Sequence, residues 1–150
     1  MLFRSNLQPA ARSLGLQLHV ENVSSELDFD RAFATLRQLR VGGLVIGAAA
    51  FFTNRSEKLA ALALHHAVPT IYQTREFAAA GGLMSYGGSF ADSYRLVGVY
   101  TGRILKCDKT DDLPVQQSTK IELILNMKSA KALGITFPTT LLGRADEVIE

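Results

Sequence analysis

Five side chains have the types expected of a site that grips a small ligand. They combine an aromatic ring for stacking, neutral polar groups and one guanidinium: Phe52, Gln73, Thr74, Arg75 and Tyr86. Arg75 can hold a carboxylate through two parallel hydrogen bonds, although an ion pair with Glu76 would use it equally well. Tyr86 can offer its hydroxyl or its ring. This chemistry is reversible binding, not bond breaking.

Neighbouring residues also have structural explanations. Phe51 and Phe52 are adjacent and follow an apolar run, so packing explains them at least as well as stacking on a ligand. Asn54 and Ser89 are typical helix N-caps, because a short polar side chain accepts hydrogen bonds from the free amides of a first turn. The amides after Gly88 could also hold an anion.

The sequence lacks the motifs of common catalytic and cofactor sites. No G-x-G-x-x-G or G-x-x-x-x-G-K-[ST] loop occurs, which argues against a nucleotide. The segment 83–87 is one residue short of a G-x-S-x-G nucleophile elbow, because Leu83 stands where a glycine is needed. His65 and His66 are adjacent in a predicted helix and point apart, and His19 lies in a predicted strand, so no metal pair is expected. The sequence therefore predicts no enzyme, no cofactor and no metal.

Length and composition fit one compact soluble domain. The 150 residues are 47% hydrophobic and 20% charged, as in ordinary globular proteins. The 16 basic and 14 acidic residues give a net charge of +2 without a basic cluster, so nucleic acid is not an expected partner. The lone Cys107 excludes an internal disulfide. No secretion signal or membrane span is evident, which as written predicts a cytoplasmic protein.

The elements that must position these residues alternate between helix and strand. Residues 5–14 predict a helix that ends at Gly15, because glycine readily adopts the positive φ of a helix C-terminus. Alternating polarity over 16–22 predicts a strand. Residues 28–39 predict a second helix, with the Asp28 carboxylate accepting from free amides.

The middle of the chain continues this alternation. The apolar run 41–47 predicts a strand covered on both faces, and therefore central in its sheet. Asn54 followed by Glu57 predicts a capped third helix that ends before Pro69. Residues 70–73 predict the next strand.

The last third repeats the pattern once more. Residues 83–86 predict a strand, Ser89 caps a long helix, and residues 108–119 are a polar loop. Residues 121–125 predict a further strand, and Asn126 caps a short helix that ends near Gly134. Pro138 opens a final helix that runs through Ile149.

This order of elements predicts an α/β fold, a Rossmann-like and mostly parallel sheet flanked by helices with right-handed crossovers. Ligands of open α/β sheets bind beyond the carboxyl ends of the strands. The segments 48–54, 73–77 and 86–89 are therefore expected to line one cleft.

Several motifs occur in an order that resembles a known family. They are Arg75-Glu76-Phe77, Gly81 through Gly87, Val99-Tyr100, Arg103 through Lys106, Asp112 through Gln117, Asn126 and Lys131 through Gly134. Over residues 8–150 the chain resembles the C-terminal half of an ABC-transporter substrate-binding protein of the tryptophan- and phenylalanine-binding type.

The resemblance implies one lobe of a type I periplasmic binding protein, which closes over a small solute such as an amino acid and docks on a membrane permease. It implies a periplasmic location and no catalysis. Residues 1–80 would form the core of the second lobe, residues 81–118 would return to the first lobe, and residues 119–150 would come back as a strand and helices.

The sequence as written starts too late to include a first lobe, so we expect a partial binding protein whose helix after Ser89 has lost its packing surface. That loss predicts either a homodimer or a rearranged domain, and the alternative function is a self-associating Rossmann-like module. Family members commonly have glycine at the position of Cys107, which predicts a left-handed backbone there.

Overall fold

The computed structural model describes residues 2–117 and 119–150, with side chains described from Leu7 onward. The chain divides into two compact units, residues up to Val41 and residues Gly42–Glu150, and each is described by itself. None of the helices in the described ranges has the length and apolarity that a membrane crossing needs.

The first unit begins with helix α1, Leu2–Ser13, which is followed by Gly15 at φ 67°. This agrees with the predicted helix and its glycine end. No strand forms over residues 16–22, so that prediction is wrong. Leu16 and Val20 are 62% and 47% exposed. Alternating polarity produces a strand only when a neighbouring strand supplies hydrogen bonds and apolar cover.

Helix α2, Asp28–Gln38, confirms the second predicted helix. Its buried residues are Phe29, Ala32, Phe33 and Leu36. The Asp28 carboxylate accepts hydrogen bonds from the amides of Ser24 and Ser25, which precede the helix. It therefore closes the preceding turn, whereas the sequence suggested a cap on the helix itself. These hydrogen bonds, with the Ser24 amide first, lower the pKa of Asp28.

The second unit contains one five-stranded sheet whose spatial order equals the order of its strands in the chain. The strands are β1 (Leu44–Val45), β2 (Thr70–Tyr72), β3 (Met84–Gly88), β4 (Ile121–Asn126) and β5 (Glu147–Ile149). β1, β2 and β3 are parallel, β4 is antiparallel to β3, and β5 is parallel to β4. The predicted mostly parallel α/β sheet is confirmed.

Strand β1 is shorter than the run over 41–47 and is not central. It is first in the strand order, and in the described part of the chain it pairs with β2 alone. Val45 is accordingly 61% exposed. An apolar run favours a strand, but its place in the sheet depends on partners that lie elsewhere in the sequence.

The helices of the second unit flank this sheet. They are α3 (Ala50–Thr53), α4 (Ser56–His65), α5 (Arg75–Ala79), α6 (Phe90–Leu105), α7 (Met127–Ala132) and α8 (Thr139–Leu142). The sequence did not predict α3 or α5. A short 3-10 turn, Thr110–Asp112, lies in the predicted polar loop.

Two of the predicted helix caps are confirmed. Ser89 Oγ accepts a hydrogen bond from the Asp92 amide at 3.3 Å, and Asn126 Oδ1 accepts one from the Ser129 amide at 3.0 Å. The cap predicted at Asn54 is wrong. Asn54 is the C-terminal cap residue of α3, and no side chain caps the start of α4.

The predicted final helix is correct only for its first turn, because after α8 the chain forms β5 beside β4. The amide of Asp146 donates to the carbonyl of Leu123 at 2.9 Å, and its carboxylate accepts from the Leu123 amide at 2.8 Å. This two-sided contact aligns the last segment with β4. Pairing across the sequence therefore overrides the local helical spacing.

Helix α6 is the longest helix, and none of its residues is buried. Its exposed apolar side chains are Phe90, Tyr94, Val97, Val99, Ile104 and Leu105. Cys107 follows the helix at φ 72°, the left-handed conformation expected at this position. A side chain there costs about 1 kcal/mol relative to glycine.

Candidate ligand-binding site

The three predicted segments follow three neighbouring strands of the sheet. β1, β2 and β3 are parallel, with Val45 opposite Ile71 and Tyr72 opposite Ser85. Their carboxyl ends therefore meet at one edge. The first segment forms α3 and its flanks, the second begins α5, and the third ends β3.

Tyr72 joins the first segment to β2. Its ring is buried, with 1% of the residue exposed. Its hydroxyl donates to the Ala49 carbonyl at 3.1 Å and lies 2.8 Å from Thr53 Oγ1. Both ends of α3 are thus held by one phenol.

Gly87 brings the third segment against the second. A Cβ atom at this position would lie 2.2 Å from the carbonyl oxygen of Gln73, a distance that real Cβ atoms do not reach. Only glycine lets the two backbones approach this closely. The two contacts, through Tyr72 and through Gly87, bring all three segments together.

The guanidinium of Arg75 is occupied by Glu147. Nε donates to Oε2 at 2.8 Å, and Nη2 donates to Oε1 at 2.6 Å. The side chains are 50% and 38% exposed. The hydrogen bonds raise the pKa of Arg75 and lower the pKa of Glu147. Arg75 thus has the fork geometry suited to a carboxylate, and its internal partner is Glu147 in place of Glu76.

The two adjacent phenylalanines lie partly buried on α3. Their ring centroids are 5.2 Å apart in an edge-to-face arrangement. The Arg55 guanidinium stacks 4.3 Å above the Phe51 ring and donates to the Phe51 carbonyl at 3.1 Å. Phe51 therefore has a structural role.

A cleft of about 640 Å³ opens beside α4 and α5. Its walls are residues 53–58, together with Arg75, Glu76, Ala79 and Ala80. Of the predicted ligand-binding residues, Arg75 lines this cleft. Tyr86 is 56% exposed at the end of β3, and Gln73 is partly buried. Thr74 is 1% exposed, and its hydroxyl has no hydrogen-bond partner in the described ranges.

The sequence did not single out Tyr72 or Thr53 as part of this region. A tyrosine in a buried strand is a usable signal, since a buried phenol needs a hydrogen-bond partner. The sequence does not predict which residue is that partner, because Thr53 lies 19 residues away from Tyr72. Over the described residues, no group of three or more His, Cys, Asp or Glu side chains could hold a metal ion.

The chain belongs to the ABC transporter substrate binding protein family, whose family model matches residues 5–149. A search of curated proteins gave no match.

Three solved structures have a similar fold. A conserved domain protein from Vibrio cholerae matches with a TM-score of 0.81 and 20% identity. The ABC domain from Streptococcus pneumoniae, solved in complex with L-Trp, matches with a TM-score of 0.80 and 21% identity. A substrate binding protein with adhesive properties from Clostridium difficile, in its ligand-free open form, matches with a TM-score of 0.67 and 18% identity.

These matches cover 97%, 97% and 95% of this chain, but only 49%, 50% and 48% of the other chains. The chain therefore spans about half the length of the structures that it matches. Their likeness establishes a fold of the periplasmic binding protein type.

Proposed function

We propose that the chain binds a small solute, such as an amino acid, as part of the substrate-binding component of an ABC transporter. The observation that carries the proposal is the joining of three strand-end segments by Tyr72 and Gly87. Ligands of open α/β folds bind at this edge. The complex of the pneumococcal relative with L-Trp supports an amino acid as the solute.

The proposed contacts are Phe52, Gln73, Thr74, Arg75 and Tyr86. Tyr86 is exposed and can meet a ligand without rearrangement. Arg75 would exchange the Glu147 carboxylate for the carboxylate of the solute, which has the same charge and fork geometry. This role is binding, with no catalytic step and no cofactor.

In this proposal the chain supplies one of two lobes. The five-stranded sheet of the second unit, including β3, belongs to that lobe, and α6 with the loop that follows it reaches toward the other. The exposed apolar face of α6 supports this division, since burying it would stabilise the protein by about 25 cal/mol per Å². The other lobe would be the half of the solved relatives that has no counterpart here. A membrane permease is the proposed partner, and the periplasm the proposed location.

One lobe alone should bind weakly, because each 1.4 kcal/mol of lost contact weakens affinity about tenfold. Thermal unfolding should be measured with a panel of amino acids and small carboxylates at millimolar concentration. We expect at least one amino acid to raise the Tm, since a ligand that binds only the folded state stabilises it by RT ln(1 + [L]/Kd). Tyr86→Ala should reduce that gain, and Tyr94→Ala on α6 should not. A Tm that no compound changes would reject binding by this chain.

A second candidate function, self-association, is favoured by the same α6 face. If two copies cover each other there, light scattering should give a dimer at micromolar concentration. Val97→Asp should dissociate it, because a charge would enter the contact. Val115→Asp is the control, since Val115 is fully exposed outside α6. A monomer at every concentration would exclude this candidate.

A further inference from the structure

We infer that Tyr72 is a positioning residue for the ligand site, and that its hydroxyl fixes the segment that carries Phe52. The inference rests on the proposed function and extends it to a side chain that does not itself face the solute.

The geometry is a closed triangle of three oxygen atoms. Tyr72 Oη lies 3.1 Å from the Ala49 carbonyl oxygen and 2.8 Å from Thr53 Oγ1. Thr53 Oγ1 lies 3.3 Å from the same carbonyl oxygen. Ala49 precedes α3 and Thr53 ends it, so the triangle spans the whole helix.

The phenol is itself rigidly held. Tyr72 belongs to β2, and its ring meets the fully buried ring of Phe77 edge to face, with centroids 5.9 Å apart. The position of the hydroxyl is therefore set by the sheet and the core.

Helix α3 depends on this contact. It has four residues, none of them buried, and no side chain caps its N-terminus. A single helical turn is not stable in water on its own. The bonds to Tyr72 therefore connect the segment that carries Phe52 to the next strand, in addition to the contacts of Arg55 with Phe51 and of Ser56 with Thr53.

Tyr72→Phe tests the inference, because it removes only the oxygen atom. Loss of the hydrogen bond should destabilise the closed position of α3. We therefore expect amide hydrogen exchange in residues 50–54 to become about tenfold faster. Exchange in β2 and α5 should stay within about twofold. The Kd for L-tryptophan, the probe ligand, should rise by about tenfold. Thr53→Val should act in the same direction, and the double variant should be less than additive.

Tyr100→Phe is the matched control, because it also removes a hydroxyl that donates to a carbonyl, that of Pro114, but lies on α6. It should leave both the exchange of residues 50–54 and the Kd unchanged. Unchanged exchange in Tyr72→Phe, or faster exchange spread evenly over the second unit, would show that the Tyr72 hydroxyl does not hold residues 50–54 in place. Faster local exchange with an unchanged Kd would overturn its role in binding. If the parent chain does not bind L-tryptophan, the binding role of Tyr72 is rejected, whereas the proposed function is decided separately by the panel of amino acids and small carboxylates.

Discussion

Arg75 and Glu147 lie 72 residues apart in the sequence and are joined by two parallel hydrogen bonds. The contact connects the start of α5 with β5, a strand of three residues at the end of the sheet. A side chain at the proposed ligand edge therefore also stabilises the last strand.

This ion pair predicts a loss of stability in acid. The pKa of Glu147 is below its usual 4.5, first because Arg75 donates hydrogen bonds to its carboxylate. The contribution of this ion pair to the free energy of unfolding is fully present above pH 4.5. Below it, the unfolded chain takes up the proton first, and the contribution disappears as the pH falls through the lowered pKa. Because both side chains are partly exposed, we expect no more than about 1 kcal/mol.

Urea unfolding from pH 7 to pH 3 measures this effect. Glu147→Gln should lower the free energy of unfolding at pH 7 and flatten its decrease in acid. Glu150→Gln, with the same change of charge, is the control and should keep the parent profile. An equally steep decrease in Glu147→Gln would show that the pair contributes nothing to acid sensitivity.

Gly87→Ala should destabilise the fold strongly. The added methyl group would meet the Gln73 carbonyl oxygen at 2.2 Å, so two strand ends must separate. Overpacking of this kind costs about 1–3 kcal/mol. Gly88→Ala is a matched control, since a Cβ atom there has open space. Urea midpoints of the two variants provide the measurement, and equal midpoints would contradict the close contact.

Cys107→Gly should stabilise the chain by about 1 kcal/mol. The residue has φ 72°, where glycine has no steric penalty. Cys107→Ala removes the thiol but keeps the Cβ atom, so it should give no such gain. Thermal unfolding of both variants under reducing conditions separates the backbone effect from thiol chemistry. A gain in both would point to the thiol.

Asn126→Ala should cost about 2–3 kcal/mol. The side chain is buried, donates to the Ala78 carbonyl at 2.9 Å and accepts from the Ser129 amide at 3.0 Å. Its removal leaves the Ser129 amide without its cap, and the Ala78 carbonyl keeps only the hydrogen bond from the Gly81 amide at 3.2 Å. Asn54→Ala should change stability by less than about 0.5 kcal/mol, because Asn54 is exposed and ends α3 through its backbone, while its side chain caps no helix. Similar losses in the two variants would refute this difference.

Some local signals in the sequence predict the structure correctly, whereas the cap expected at Asn54 does not form. Ser89 and Asn126 cap their helices, and Gly15 has a positive φ. Each of these features depends on a residue and its immediate neighbours, so a short segment contains the whole cause. The alternation of helices and strands in the second unit follows for the same reason.

The sequence does not predict features that depend on partners far away in the chain. Residues 16–22 have the alternation of a strand but no ladder, and residues 147–149 have helical spacing but pair with β4. The same limit applies to the candidate site. Arg75 was recognised as a carboxylate fork, whereas Glu147 as its partner and Tyr72 as the anchor of α3 required the fold.

The order of the strands has a consequence for synthesis on the ribosome. Each strand pairs with the one that precedes it in the sequence, so every strand emerges after its partner is already available. Sheet growth can therefore follow translation without waiting for a distant segment, which limits the time that open edges are exposed to aggregation. The pairing of β5 with β4 comes last, and the contact of Glu147 with Arg75 marks its completion.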